Sequence, residues 1–161
     1  MKGERVPEIQ RALKSDLPEI LALLTTVGLP QEGVVEYLDQ FLVARDVEGR
    51  LIACGGMERH GSIGLLRSLA VDPSCQRSGV GSQLTATLLK QASSDGVQEV
   101  LLLTTTARDF FARRFQFQKA ERADYDSRLS TSPEWRLPRC STAVLMRLTI
   151  GDWGLAIGDW D

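Results

Sequence analysis

At 161 residues the chain is sized for one folded domain, which can bury roughly 70% of its unfolded surface around a single core. Its 43% hydrophobic and 25% charged residues exclude a disordered chain, and no apolar run approaches the ~18 residues of a spanning helix. A formal net charge of -2 with interspersed signs creates no field that gathers nucleic acid or an anionic membrane, so neither is expected as a partner.

In chain order, the Met1-Lys2-Gly3-Glu4-Arg5 start has no apolar signal core behind it, and the expected location is the cytoplasm. Pro7 to Leu13 reads as a short strand. A helix follows from Asp16-Leu17-Pro18-Glu19, with Asp16 as cap, Glu19 closing a capping box, and Ile20, Leu21, Leu23 and Leu24 as the buried face. Gly28-Leu29-Pro30 ends it, and Gly33 to Leu38 predicts a second, shorter helix. Phe41 to Arg45, Leu51 to Arg59 and Ile63 to Val71 form an antiparallel meander, turned at Glu48-Gly49 and at His60-Gly61.

Beyond Asp72-Pro73-Ser74 the period changes to about 3.6, and Val80, Leu84, Thr87, Leu88 and Gln91 share one face of a helix that stops near Gly96. Val100 to Leu103 is wholly apolar, as expected in the middle of a sheet. Thr106 to Arg114 predicts a helix capped by Thr105 or Thr106, and Ala143 to Leu148 a last strand. The polar stretch from Asp124 to Ser141, with Pro133 and Pro138, is expected to be a loop. One domain over residues 1–149 is thus expected, with a tail over 150–161 that repeats Gly-Asp-Trp at Gly151 and Gly158.

Gln76-Arg77-Ser78-Gly79-Val80-Gly81 stands where a strand gives way to the long helix. Its two glycines remove Cβ atoms where backbone N–H groups point out of a helix start, which makes an anion cradle. Arg77 adds a charge-assisted donor. A dinucleotide fingerprint fails because Leu84 stands where its third glycine belongs, and a P-loop fails for want of Gly-Lys-Ser/Thr. A glycine-rich turn with no ligand stays open at this point.

Leu69-Ala70-Val71-Asp72-Pro73 followed by Gln76-x-x-Gly79-x-Gly81, a helix and an apolar strand resembles motif A of the GNAT acetyltransferases, and the order of elements extends the resemblance from Pro7 to Leu148. The runs Glu58-Arg59-His60-Gly61, Leu65 to Val71 and Leu103 to Phe111 resemble the arsenic-resistance-associated branch of that family. The resemblance implies an α/β (α+β) fold with a mixed, mostly antiparallel sheet flanked by helices and splayed to form a CoA slot. It implies acetyl-CoA as cosubstrate, no metal, and a small amino-acid-like amine as acceptor, with an organoarsenical related to glutamate as one candidate. It also implies that backbone groups of Leu69, Ala70 and Val71 pair with the pantetheine arm and that an N–H there, assigned to Leu69, polarises the thioester carbonyl. Gln76 to Gly81 with Ser82 then hold the pyrophosphate, and Phe110 and Phe111 line the cofactor. Dimers are common in this family, so a homodimer is one expectation.

Aminolysis of a thioester needs a base for the protonated amine. Glu58, near the end of a meander strand, is the first candidate, against a solvated strand-end carboxylate. His60 titrates in the useful range but reads more readily as an exposed turn residue. Thr104 and Thr105 are candidates for substrate contact or proton relay, against a helix cap. Family members carry Phe-Tyr where this chain has Phe110-Phe111, so no acid role passes to Phe111, and Tyr125 is a weaker substitute. The family's Gly-Phe is replaced by Gln116-Phe117, which calls for a left-handed Gln116 or an extra residue.

Arg67 in an apolar strand demands a partner, either a substrate carboxylate or else an internal acid or open solvent on the outer face. Arg45 and Arg108 are further candidates for the substrate. Cys54, Cys75 and Cys140 match no zinc spacing and read as reduced apolar fillers. Two alternatives to the enzyme stand beside it: a CoA-binding module without turnover, and a metalloid-binding protein acting through thiols.

Overall fold

The computed structural model describes residues 7–137 and 143–151. The expected tail beyond Gly151 and Cys140 therefore lie outside the described residues. The strands are β1 (Glu8–Arg11), β2 (Phe41–Arg45), β3 (Leu51–His60), β4 (Ile63–Val71), β5 (Glu99–Thr104), β6 (Gln118–Lys119) and β7 (Val144–Thr149), and the helices are α1 (Leu17–Val27), α2 (Val80–Ser94) and α3 (Arg108–Phe115). The strands form one mixed sheet in the order β1-β2-β3-β4-β5-β7-β6. β1 pairs with β2, β2 with β3, β5 with β7 and β6 with β7, all antiparallel, while β4 and β5 are parallel from Ile63↔Glu99 to Leu66↔Leu102. This is the mixed, mostly antiparallel α/β arrangement expected.

The described residues fall into two compact units, one of Met57 and the residues before it with Ser68–Leu88, the other of Glu58–Arg67 with the residues from Leu89 onward. In the first, α1 buries Ile20, Leu23 and Leu24 against Val34, Leu38, Phe41, Val43, Leu51, Cys54 and Ala70. Phe41 is paired with Gly56, where a Cβ would stand 2.3 Å from the ring, so the aromatic closes over bare backbone. In the second, Ile63 and Leu65 pack with Leu101, Leu145, Tyr125, Leu129 and Trp135. Three of these seven come from the stretch expected to be a polar loop.

Several local expectations change. Asp16 precedes α1 without a side-chain cap; its carboxylate accepts from the Leu13 N–H at 2.8 Å and from Arg45, and Glu19 also turns to Arg45, at 2.9 Å, instead of closing a capping box on α1. No α-helix forms over Gly33 to Leu38: Gly33 takes φ 87°, which a right-handed helix cannot use, and only a 3-10 turn, Leu38–Gln40, follows. The buried face of α2 is Val80, Leu84, Thr85, Leu88, Leu89 and Ala92, leaving Gln91 exposed. α3 starts at Arg108, and the hydroxyl serving its entry is that of Thr104, which accepts the Ala107 N–H at 2.9 Å, in place of Thr105 or Thr106. Gln116 ends α3 in the left-handed conformation, φ 65°, with its N–H on Ala112 O, so no extra residue is needed there.

Candidate functional site

In the first unit, Asp72 shapes the approach to α2. Its Oδ1 accepts the Ser74 N–H at 2.9 Å and hydroxyl at 2.7 Å, and Arg50 lies 3.2 Å from Oδ2. These contacts, the Ser74 bonds foremost, hold its carboxyl below the usual range. The chain then runs exposed through Gln76, Arg77, Ser78 and Gly79, with Arg77 at φ 73° and Gly79 at φ 88°.

The Gln83 N–H bonds Gly79 O at 3.1 Å, so the amides of the first turn of α2, Val80, Gly81 and Ser82 among them, precede any intrahelical donor. A Cβ at Gly79 would meet nothing within 4 Å, and one at Gly81 would make only an ordinary contact with Val71 Cγ2 at 3.4 Å. The glycine at position 79 is thus required by its backbone angle, and neither glycine is required by packing. Such an open, glycine-lined helix mouth suits a diphosphate, which would accept from those amides and meet the positive helix end.

Just upstream, β4 carries Ser68 at φ 60°, a left-handed residue inside a strand. Such a residue breaks the regular alternation and re-aims the amides that follow, which here belong to Leu69, Ala70 and Val71. The Ser68 carbonyl accepts from the Cys54 thiol at 3.4 Å.

In the second unit, the expected substrate and base candidates meet each other. Arg67 Nη1 donates to Glu58 Oε2 at 2.7 Å, with both side chains fully buried. His60 Nε2 lies 2.8 Å from Glu58 Oε1, and Ser132 also hydrogen-bonds the carboxylate. Burial alone would raise the Glu58 carboxyl, but the bonds from His60, Ser132 and Arg67 outweigh it and hold the group below the usual range. Glu58 is therefore a buried, ionised carboxylate, and the solvated strand-end reading is overturned.

Of the two readings of Arg67, the internal acid is the one found. His60 is likewise not an exposed turn residue, since its side chain is 7% exposed. Residues 58 and 60 share one strand face by the period of two, a signal available in the sequence.

Two residues of this cluster were missed, Ser132 and Glu134. Both are buried. Ser132 Oγ accepts the Trp135 N–H at 3.1 Å. Burial pushes Glu134 up to about 7, helped by the charge of Glu58 and opposed by that of Arg67. Nothing in a polar, proline-containing stretch singles these residues out.

The remaining candidates take other places. Arg45 is held by Asp16 and Glu19 and donates to Gly49 O at 2.7 Å. Arg108 and Thr105 are exposed, and Thr104 bonds the entry of α3. Phe111 is a core ring, edge-on to Phe117 at 5.7 Å and to Phe110 at 5.0 Å; Phe110 is half-buried. Tyr125 is buried, donating to Glu99 at 3.3 Å and accepting from Arg147 at 3.2 Å, which fits a structural role better than an acid. Among the described residues no group of three or more metal-ligating side chains comes together, and no helix is long and apolar enough to cross a membrane.

The family profile described as "Acetyltransferase (GNAT) domain" matches residues 38–119. The chain is 34% identical over 116 residues to an amino-acid acetyltransferase of Mycobacterium tuberculosis, covering 66% of each chain. It is 28% identical over 121 residues to amino-acid acetyltransferases of Neisseria meningitidis, spanning 69% of this chain but 27% of theirs.

Among solved structures, Rv2747 of M. tuberculosis in complex with CoA and NLQ superposes with a TM-score of 0.72 at 27% identity, over 89% of this chain and 99% of that one. N-acetylglutamate synthase of Neisseria gonorrhoeae, complexed with coenzyme A and N-acetyl-glutamate, gives a TM-score of 0.74 at 23% identity, over 91% of this chain and 36% of that one.

Proposed function

Because the chain belongs to the GNAT acetyltransferase family, we propose that it moves the acetyl group of acetyl-CoA directly to the primary amine of a small amino-acid-like substrate. The observation that carries this reading is the mouth of α2, where the exposed Gly79, at φ 88° and with nothing within 4 Å of where its Cβ would stand, leads into the first-turn amides. Relatives that are amino-acid acetyltransferases support the acceptor class. The resemblance to the arsenic-resistance branch adds an organoarsenical amino acid to the acceptors worth testing.

In this reading Gln76 to Ser82 hold the diphosphate, with Arg77 adding charge. The amides of Leu69, Ala70 and Val71, turned by Ser68, pair with the pantetheine arm, and Leu69 N–H polarises the carbonyl. A preorganised donor at a developing oxyanion contributes about 3 kcal/mol. When bound, acetyl-CoA supplies an acetyl group as a thioester. Glu58, fully buried with both oxygens engaged, accepts the ammonium proton through His60 or a water and not by direct contact with the amine; Arg67 keeps Glu58 ionised beforehand.

Free thiol release from acetyl-CoA across a panel of amino acids and glutamate analogues tests the reading. Release that depends on a primary amine supports it, and CoA binding without release to any amine favours the non-catalytic module instead.

A further inference from the structure

Among the described residues, the buried charged groups of the second unit are two carboxyls, Glu58 and Glu134, and one arginine, Arg67. Glu58 has both oxygens engaged, Oε1 by His60 and Oε2 by Arg67. Glu134 Oε1 is equally buried and has no hydrogen-bond partner among the described residues. Its position is fixed from the neighbouring residues instead. The Leu137 N–H bonds Glu134 O at 3.1 Å, and Trp135 is buried with Nε1 on Asp126 at 2.9 Å, its carbonyl on Arg122 at 3.0 Å and the Arg122 guanidinium 4.3 Å over its ring. An ionised carboxylate with a bare buried oxygen is costly, whereas a carboxylic acid at the same place is not.

We propose that Glu134 is a positioning residue for the acetyl transfer, storing a proton in this cluster so that its ionisation state sets how strongly Glu58 holds one. This rests on Glu58 as the base in the function proposed above. The charges that act on Glu134 are Glu58 from β3, itself bonded to His60, and Arg67 from β4; on its own segment Arg122 and Asp126 both bond Trp135. Burial and the Glu58 charge raise its affinity for a proton, and Arg67 lowers it, leaving the balance near neutrality.

With Glu134 protonated, Glu58 is the one of the two carboxyls that draws on the Arg67 charge. Once Glu134 ionises, Arg67 is shared between two anions and Glu58 becomes the stronger base. No bond other than that to the proton is made or broken at Glu134.

The test has two arms on the full chain. In the first, 13C NMR follows the glutamate carboxyls against pH. One carboxyl titrating near neutrality in the wild type and absent in Glu134→Gln supports the proposal; a wild type in which every glutamate titrates in the ordinary carboxylate range overturns it. Should Glu134→Gln not fold, Glu58→Gln serves, because removing the Glu58 charge must move that titration to lower pH, and an unmoved titration overturns the coupling.

In the second arm, kcat/KM for acetyl transfer is measured against pH. The wild type rises through an ionisation near neutrality that Glu134→Gln lacks, so the variant falls roughly three- to tenfold behind on the alkaline side. Superposable profiles overturn the link to Glu58. A wild type that acetylates no amine sinks the proposed function, and the NMR arm still decides the proton.

Discussion

Arg67 and Glu58 form an ion pair of 2.7 Å with both side chains fully out of solvent. Taking two charges from water is costly, and the pair stands because His60 and Ser132 also hydrogen-bond the carboxylate. Removing one partner strands the other. Arg67→Ala and Glu58→Ala are each expected to cost about 3–5 kcal/mol in urea unfolding, while replacing both with apolar residues of similar volume costs much less than the sum.

Stability carries an opposite pH signature from each carboxyl of this cluster. Glu134 keeps a proton in the folded state up to about 7, whereas an unfolded glutamate has released it above ~4.3. Its contribution is complete below ~4.3 and is lost as pH rises through about 7. Glu58 runs the other way, because its folded-state affinity for a proton is lowered: its contribution is present above ~4.3 and is lost on acidification through its depressed value. Tm should therefore fall for the wild type between about pH 4.3 and about pH 7 by an amount that Glu134→Gln removes.

Gln116 is the one non-glycine residue that ends a helix here in the left-handed region, at φ 65° among the described residues. Gln116→Gly relieves that backbone at some cost in chain entropy, for a gain of about 0.5–1 kcal/mol, or a Tm rise of roughly 1–4 °C. An unchanged or lower Tm contradicts the assignment.

Burial pushes the Cys54 thiol up to about 12, with a backbone bond from Ala70 opposing it only in part. Cys75 is half-buried. Alkylation of the native protein near pH 8 should label Cys75 and spare Cys54 until the chain is unfolded, as read by mass spectrometry. Labelling of native Cys54 contradicts the fold around it and reopens thiol-based metalloid binding.

Much of the sheet was legible because strand signals are local. Alternation and turn residues bounded β2 and β4 at the residues observed, Phe41–Arg45 and Ile63–Val71. β6, two residues long, has no period to read. The false helix at Gly33 to Leu38 arose from propensity alone, which the positive φ of Gly33 overrides. The turn at Gly79 was legible because its requirement is a backbone angle tied to residue type. Arg67 was legible as a charge needing a partner and Glu58 as a candidate base, but neither as the other's partner. Ser132 and Glu134 were hidden because burial there comes from tertiary packing of Tyr125, Leu129 and Trp135, three apolar residues spaced too irregularly for any periodic signal.

The most direct measurement is calorimetric titration of CoA into the full chain and into Gly79→Val, with circular dichroism confirming that both are folded. Position 79 has room for a side chain, but its φ of 88° strains any residue with a Cβ, so the substitution should distort the helix mouth locally, and circular dichroism reports whether the rest of the chain stays folded. The expected result is clear CoA binding by the wild type and a loss of tenfold or more in the variant, about 1.4 kcal/mol at least. Well-folded wild type that binds no CoA, or equal affinity in the two proteins, contradicts the account.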